Sequence, residues 1–157
     1  MDRIDKEILA LLQRDSTLAI TDIAERVHLS QTPCWRRIQK LEQDGYIRQR
    51  VALLDANLLN VGVTVFVGIK TNQHNQDWFD RLDRAVAAIP EVMEFYRMSG
   101  DVDYLLRVVV PDIAGYDAVY RRLIQDIDLF DVTSSFAMEQ IKFTTALPLE
   151  YATSTQL

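Results

Sequence analysis

The sequence has little of what an enzyme, a metalloprotein or a secreted protein normally requires. It contains one cysteine, which excludes an intramolecular disulfide framework and is consistent with a reducing compartment. Its only histidines are His28 and His74. No Gly-rich phosphate loop, paired histidines or cysteine beside a plausible base is present. We therefore expect no enzymatic activity, no cofactor and no metal site.

The apolar segments that insertion into a membrane requires are also lacking. No apolar run reaches about 18 residues without a charge, and Met1-Asp2-Arg3 does not resemble the start of a signal peptide. We therefore expect a cytoplasmic protein that does not act in a membrane. With 157 residues, 48% of them hydrophobic and 25% charged, the chain suffices for one globular domain or two small ones.

The net charge of −6 is distributed unevenly along the chain. Residues 1–60 contain nine Lys/Arg and nine Asp/Glu, whereas residues 61–157 contain eight and fourteen. Within 30–50, five basic residues accompany only two acidic ones, which gives a local charge of +3. A short basic segment in an acidic chain is typical of a surface that contacts nucleic-acid phosphates.

This basic segment has the pattern of a short amphipathic helix. Cys34, Ile38 and Leu41 recur at the spacing of one buried stripe. Pro33 fits only in the first turn of a helix, and Gly45 suits the left-handed residue that ends one. On the stripe, Cys34 is expected to be a small buried apolar group, with a redox role as the alternative.

The flanking residues extend this helix into a winged helix-turn-helix. Residues 20–27 predict a short preceding helix, His28 lies in the connecting turn, and residues 46–52 alternate apolar and basic residues as a β-wing would. A solvated helix face is the alternative, but the helix-turn-helix spacing favours DNA binding. The residues expected to contact double-stranded DNA are polar, basic or aromatic: Ser30, Gln31, Thr32, Trp35, Arg36, Arg37, Gln39, Lys40, Arg48 and Arg50.

The remainder predicts an α+β domain. After a first helix over 2–14 and the helix-turn-helix, we expect a DNA-binding domain over 1–52, a linker over 53–60 and a second domain over 61–157. In that domain, strands are predicted at 61–71, 92–98, 104–110 and 132–142, and helices at 77–88 and after Asp112. This order is βαββαβ, the ferredoxin-like plan with both helices on one face of an antiparallel sheet.

The predicted strands are apolar on both faces, although two helices can cover only one. The first strand, for example, places Phe66 opposite its neighbours Val65 and Val67. A sheet of this kind normally has a partner over its second face. The simplest partner is a second copy of the chain, which would also give the helix-turn-helix its usual two-fold symmetry.

Several motifs are similar to those of the Lrp/AsnC (leucine-responsive/asparagine-responsive, feast/famine) transcription regulators. In the first domain these are LSQTPCWRR, beginning at Leu29, and LEQDGYI, beginning at Leu41. In the second they are GDVDYLLRV, beginning at Gly100, and IKFTTALPL, beginning at Ile141. Within the family, the chain most resembles the enterobacterial regulators of cysteine detoxification. Its departures are His28 at the usual turn glycine and Ala19 at a position where a capping serine is common.

The resemblance implies a sequence-specific regulator of amino-acid metabolism that assembles as homodimers and often octamers. A free amino acid would bind between effector domains, with cysteine the first candidate and leucine or another small apolar amino acid the second. The alternative function is an amino-acid-binding regulatory subunit of a metabolic enzyme, which the basic 30–50 segment disfavours. The residues expected at the effector site lie in one turn and the last strand: Met98, Gly100, Asp101, Asp103, Tyr104, Thr133, Ser134 and Ser135.

These residue types suit a zwitterion, which needs acceptors for its ammonium and donors for its carboxylate. Asp101 and Asp103 offer the first, and the hydroxyls near Thr133 offer the second. The alternative for both aspartates is a turn closed by their own hydrogen bonds. Ser134 and Ser135 lie on opposite faces of a strand, so they cannot both line one pocket within a chain.

Overall fold

The structure is a computed structural model that describes residues 1–125 and 127–152. The chain forms two compact units, one built from Met1–Ala52 together with the C-terminal segment that begins at Ile141, the other from Leu53–Gln140. The expected domain boundaries, including the linker at 53–60, stay predictions; by its contacts, the stretch 53–60 groups with the second unit. Residues 141–152 were expected in the sheet domain and instead pack with the first unit.

The first unit is helical, with α1 at Arg3–Leu12, α2 at Ile20–Arg26 and α3 at Gln31–Gln43. A capping box starts α1, because the Asp2 carboxylate accepts from the Asp5 N–H while the Asp5 carboxylate accepts from the Asp2 N–H. The core is formed by apolar residues of all three helices and of the turn after α2: Ile8, Leu9, Leu12, Ile23, Ala24, Val27, Cys34, Ile38 and Leu41. The predicted stripe of α3 is therefore buried as expected.

The segment predicted as a β-wing, residues 46–52, contains no strand. A strand requires a hydrogen-bonded neighbour, and no other part of the described chain pairs with this segment, so that prediction is wrong at the level of secondary structure. The C-terminal segment contacts α1 instead. The Gln13 side chain accepts from the Leu147 N–H at 2.9 Å and donates to the Leu147 carbonyl at 3.0 Å, and a short 3-10 helix follows at Leu149–Tyr151.

The second unit has the predicted βαββαβ order. Its elements are β1 at Val63–Lys70, α4 at Gln76–Ala87, β2 at Val92–Arg97, β3 at Tyr104–Val110, α5 at Ile113–Ile124 and β4 at Asp131–Phe136. The sheet is antiparallel in the order β2-β3-β1-β4. The ferredoxin-like prediction is confirmed. β4 is shorter than predicted because its partner β1 begins at Val63, and the last backbone hydrogen bond between them joins Ala137 to Thr64.

One face of this sheet forms the core with α4 and α5. Alternate residues of β1 and β3 are buried there, among them Val67 and Leu106, and Trp78 of α4 donates its indole N–H to the Asp128 carbonyl at 3.1 Å. The other face, called the open face below, is not covered by either helix of this unit, α4 or α5. It presents residues that alternate with the core positions: Thr64, Phe66, Gly68, Lys70, Glu94, Tyr96, Leu105, Arg107, Val109, Thr133 and Ser135. Among the described helices, none has the length and apolar character needed to cross a membrane.

Candidate functional site

The exposed side of α3 is the candidate DNA-binding surface. Its buried stripe faces the core, so the remaining side chains of the helix point outward. Gly45 takes a φ of 79° just after the C-cap of α3, so this helix ends at a left-handed glycine as predicted. His28 takes a φ of 56° in the turn between α2 and α3. Ser30 is the N-cap, although its side chain makes no capping hydrogen bond. The exposed residues from the predicted set are Ser30, Gln31, Thr32, Trp35, Arg36, Lys40, Arg48 and Arg50.

The basic residues of this surface differ in their partners. Lys40 pairs with Asp44 at 3.0 Å and Arg50 with Glu42 at 2.9 Å. Exposed pairs of this kind are weak and exchange readily for phosphate contacts. Arg36 and Arg48 have no acidic partner within the described residues. Arg36 therefore presents a free guanidinium in the middle of the exposed helix face.

Two residues predicted to contact DNA are half-buried and make contacts within the unit. Gln39 donates its amide N–H to the Glu42 carboxylate at 3.0 Å. Arg37 points toward α1 and pairs with Asp2 at 2.6 Å and with Asp5 at 2.7 Å. These hydrogen bonds, first to Asp2 and then to Asp5, raise the pKa of the Arg37 guanidinium. Arg37 thus connects α3 to the start of α1, which fixes the direction of α3.

The turn between β2 and β3 is the centre of the candidate effector site. It is closed by the Met98 N–H, which donates to the Asp103 carbonyl at 2.8 Å, and Gly100 takes a φ of 132° that favours glycine. The Asp103 carboxylate accepts from the Thr71 N–H at 2.8 Å, which holds the turn against the end of β1. The Asp103 carboxylate therefore stabilises the turn.

Asp101 occupies a different environment in the same turn. Its side chain is 90% exposed and pairs with the Lys70 ammonium at 3.0 Å. The hydrogen bond from Lys70 to Asp101, together with their opposite charges, raises the pKa of the Lys70 ammonium. Because the pair is so exposed, the Asp101 carboxylate can turn to another cation at little cost.

Strand register brings this turn beside the last strand on the open face. Gly68 of β1 is opposite Thr133 of β4, and a Cβ on Gly68 would lie 3.0 Å from Val102 Cγ1 and 3.5 Å from Thr133 Oγ1. Val102 therefore lies over Gly68, next to the Thr133 hydroxyl. The structure brings together the Gly100–Asp103 turn and Thr133, as the effector-site hypothesis needs.

The other predicted effector residues are divided between the two faces of the sheet. Ser135 is opposite Phe66 and shares the open face, whereas Ser134 is opposite Val67 and faces the helices, where its hydroxyl bonds the Tyr116 hydroxyl. Burial raises the pKa of that Tyr116 phenol. Tyr104 also faces the helices and is buried. Ser134 and Tyr104 are therefore not on the same side as Thr133.

Two residues near this site, Lys70 and Val102, were not singled out from the sequence. Lys70 contributes the cation that Asp101 contacts, and Val102 covers the glycine beneath the turn. Both roles depend on the register between β1 and the β2–β3 turn, about thirty residues apart in the chain. The only local signal was the glycine at position 68 in a strand, which often marks a close approach of another chain segment.

Comparison with known proteins covers nearly the whole chain. Residues 1–48 match the winged helix-turn-helix DNA-binding family model and residues 64–147 match the Lrp/AsnC ligand binding domain. The DNA-binding transcriptional activator DecR of Escherichia coli K12 is 51% identical over 151 residues, which cover 96% of this chain and 99% of DecR. Both domains therefore match in the order in which the structure shows them.

Two solved structures extend the similarity to the fold. An AsnC family transcriptional regulator from Agrobacterium tumefaciens has a TM-score of 0.94 and 63% identity, covering 98% of this chain and 100% of that one. The transcriptional regulator NMB0573 of Neisseria meningitidis, solved in complex with L-Met, has a TM-score of 0.90 and 34% identity, with 96% and 97% covered. The similarity thus includes a regulator that was crystallised with a free amino acid.

Proposed function

The chain belongs to the Lrp/AsnC family of transcription regulators, and from this membership we propose that it binds operator DNA through α3 and responds to a free amino acid. The observation that carries the proposal is the exposed polar face of α3, where the Arg36 guanidinium has no acidic partner among the described residues, while the opposite side of the helix is buried in the core. The matched relatives are regulators of transcription. A cytoplasmic site of action is part of the proposal, because the operator is expected there. An enzyme-bound regulatory subunit would have no use for this helix face.

We propose that some of the polar residues contact base edges and others contact phosphates of the DNA. Arg36 and Gln39 read base edges in the major groove, because arginine and amide side chains can each make paired hydrogen bonds to a base. Gln39 must first exchange its contact with Glu42. Phosphates are contacted by Lys40, Arg48 and Arg50. The start of α3 presents four further residues to the DNA, Ser30, Gln31, Thr32 and Trp35. Arg37 mainly orients α3.

The effector is proposed to bind at the Gly100–Asp103 turn on the open face. Asp101 receives the ammonium after separating from Lys70, the released Lys70 is available to the carboxylate, and Asp103 keeps the turn in place. Met98 and the hydroxyls of Thr133 and Ser135 complete the site, with Ser134 and Tyr104 supporting it from behind the sheet. L-cysteine is the first candidate and L-leucine the second.

Assembly through the open face completes the proposal. Phe66 is 39% exposed there, and half-buried Leu105 and Val109 lie on the neighbouring strand. A second copy of the sheet over this surface would remove these apolar residues from water. The same dimer would supply two copies of α3 to a two-fold symmetric operator, with octamers as a further stage.

Footprinting on the chain's own upstream region, with and without a panel of amino acids, tests the proposed function. We expect protection repeated at about one helical turn, roughly 10 bp or a multiple of it, with salt-sensitive affinity. L-cysteine or L-leucine should change the footprint or the protein concentration that produces it, whereas L-lysine should not. Protection that is equal on unrelated DNA, or that ignores every amino acid, would contradict the proposal.

A further inference from the structure

A cavity of about 340 Å³ lies on the helix-covered side of the sheet, where the proposed function makes no use of it. It is lined by the loop before α4, by α4 itself and by strands β2 and β3. Its volume falls within the range of roughly 300–1,000 Å³ that is usual for small-molecule sites. Because it lies behind the sheet, it is separate from the open-face site at Val102 and Thr133.

Three aromatic rings form the apolar part of the cavity. Phe79 and Phe95 lie with their ring centroids 6.3 Å apart, and the Tyr104 ring is 5.9 Å from Phe79 and 5.6 Å from Phe95. Phe79 is positioned by the buried face of α4, and the pairing of β2 with β3 places Phe95 and Tyr104 beside it. An aromatic wall of this kind favours a flat or apolar ligand group.

Tyr104 adds a polar atom that the protein leaves unused. Its side chain is only 9% exposed and lines the cavity, yet its hydroxyl makes no hydrogen bond to any residue that the structure describes. The hydroxyl is not itself fully buried, because among the described residues Glu91 Oε2 is the one fully buried side-chain polar atom without a partner, so solvent in the cavity reaches it. The hydroxyl is therefore available to a molecule in the cavity.

Two opposite charges also line the cavity without contacting each other. Asp83 follows Phe79 by one turn of α4, and Arg97 is opposite Tyr104 in the β2–β3 pairing. Neither forms an ion pair within the described part of the chain. Other arginines nearby do: Arg107 pairs with Glu94 at 3.0 Å and Arg122 with Glu91 at 2.6 Å.

We propose that this cavity is a second amino-acid site, which binds a zwitterion with an aromatic or apolar side chain. Arg97 binds the carboxylate, Asp83 binds the ammonium, and the side chain packs against the aromatic wall, with the Tyr104 hydroxyl as a further polar contact. One cation and one anion together disfavour phosphates and simple hydrocarbons. This inference goes beyond the proposed function, because that function requires only the open-face site.

Calorimetry of L-phenylalanine with the full-length protein tests the second site. Arg97→Gln should weaken binding about ten- to a hundredfold, as expected for the loss of a charged hydrogen bond. Arg81→Gln removes the same charge from an exposed position outside the cavity and should leave binding unchanged. Equal affinity for wild type and Arg97→Gln would overturn the proposal, as would the absence of binding to wild type at millimolar concentration.

Analogues of L-phenylalanine that lack one charged group show which side chain binds the ammonium and which binds the carboxylate. 3-Phenylpropanoate lacks the ammonium, so its binding should be weakened by Arg97→Gln and not by Asp83→Asn; phenethylamine lacks the carboxylate and should show the reverse. Asp101→Asn should leave all three probes unaffected. If instead Asp101→Asn weakens L-phenylalanine binding and Arg97→Gln does not, the probe binds at the open-face turn and the second site is refuted. An unchanged melting temperature confirms that the variants fold.

Discussion

In the helical unit a single helix carries the candidate surface, whereas in the sheet unit the candidate effector site is assembled from a turn and two strands. Residues 31–43 contain both the buried stripe and the exposed polar face of α3. The effector turn, by contrast, depends on Gly68 of β1 and Thr133 of β4, which are far apart in the chain. The first surface follows from local sequence, and the second follows from strand register.

The two units also differ in how completely they cover their apolar residues. The helical unit buries its stripe against α1 and α2, and its exposed helix face is mostly polar. The sheet unit buries one face under α4 and α5 and leaves Phe66 at the surface of the other. The helical unit is therefore expected to act on DNA, and the sheet unit to act on another copy of itself.

The largest effect is expected from a charge on the open face. Phe66→Glu would bury an unpaired carboxylate in the proposed dimer, which should cost several kcal/mol and produce monomers in sedimentation velocity. Ala118→Glu adds the same charge to an exposed position of α5 and should leave the dimer intact. If Phe66→Glu remains dimeric, the open face is not the dimer interface. Gly68 is a poorer position, because a side chain there would displace Val102.

The two aspartates of the effector turn should separate ligand binding from folding. Asp101→Ala should weaken L-cysteine binding about ten- to a hundredfold, since a charged hydrogen bond contributes roughly 1.5–3 kcal/mol. It should change the free energy of unfolding little, because the pair with Lys70 is exposed. Calorimetry and chemical denaturation measure the two quantities.

Asp103→Ala serves as the matched variant for that experiment. It removes the acceptor of the Thr71 N–H and should lower the free energy of unfolding by about 1–3 kcal/mol. If Asp101→Ala binds L-cysteine like the wild type, the effector lies elsewhere. If both variants lose stability equally, the turn has no residue dedicated to the ligand.

These differences explain how much could be predicted from the sequence. The helix-turn-helix, the βαββαβ order and the α3 stripe were predicted correctly, because each depends on periodicity or on caps within about fifteen residues. The end of β4 was predicted too late, since the length of a strand is set by its partner. The wing strand was wrong for the same reason, as its pairing could not be inferred from an alternating pattern.

The structure gives some of the predicted site residues contacts that the sequence does not indicate. Arg37 has the residue type of a phosphate ligand, but the distance between α1 and α3 gives it Asp2 and Asp5 as partners. Likewise, Tyr104 adjoins the effector turn in sequence and faces the opposite side of the sheet. The partners of these side chains depend on how helices and strands pack together, and this packing cannot be inferred from composition or residue spacing.

Arg36 and Arg37 offer a test of the helical surface with neighbouring residues of the same type. Arg36→Ala should weaken operator binding by about 1–3 kcal/mol and relax specificity at one base position. Arg37→Ala should instead lower the stability of the helical unit and change specificity little, because its guanidinium contacts α1. Fluorescence anisotropy with operator variants measures both. Cognate affinity unchanged in Arg36→Ala would refute the assignment of α3 as the DNA-reading helix.

The smallest effect concerns acid stability, to which ion pairs in both units contribute, among them Arg37–Asp2 in the helical unit and Arg122–Glu91 in the sheet unit. The Asp5 backbone N–H, with help from Arg37, holds the pKa of Asp2 below its ordinary value of 3.8, and Arg122 holds that of Glu91 below its ordinary value of 4.5. A lowered carboxyl pKa stabilises the folded state above the unfolded pKa, and this stabilisation is lost as pH falls through the folded pKa.

Both pairs should therefore contribute at neutral pH and lose this contribution as the pH falls below the ordinary carboxyl pKa values, within about 1 kcal/mol each because they are partly exposed. Arg37→Met and Arg122→Met should each reduce the difference in unfolding free energy between neutral and acid pH, the first through the helical unit and the second through the sheet unit. Urea denaturation at the two pH values measures this difference. A variant that keeps the full wild-type difference would show that its ion pair does not stabilise its unit.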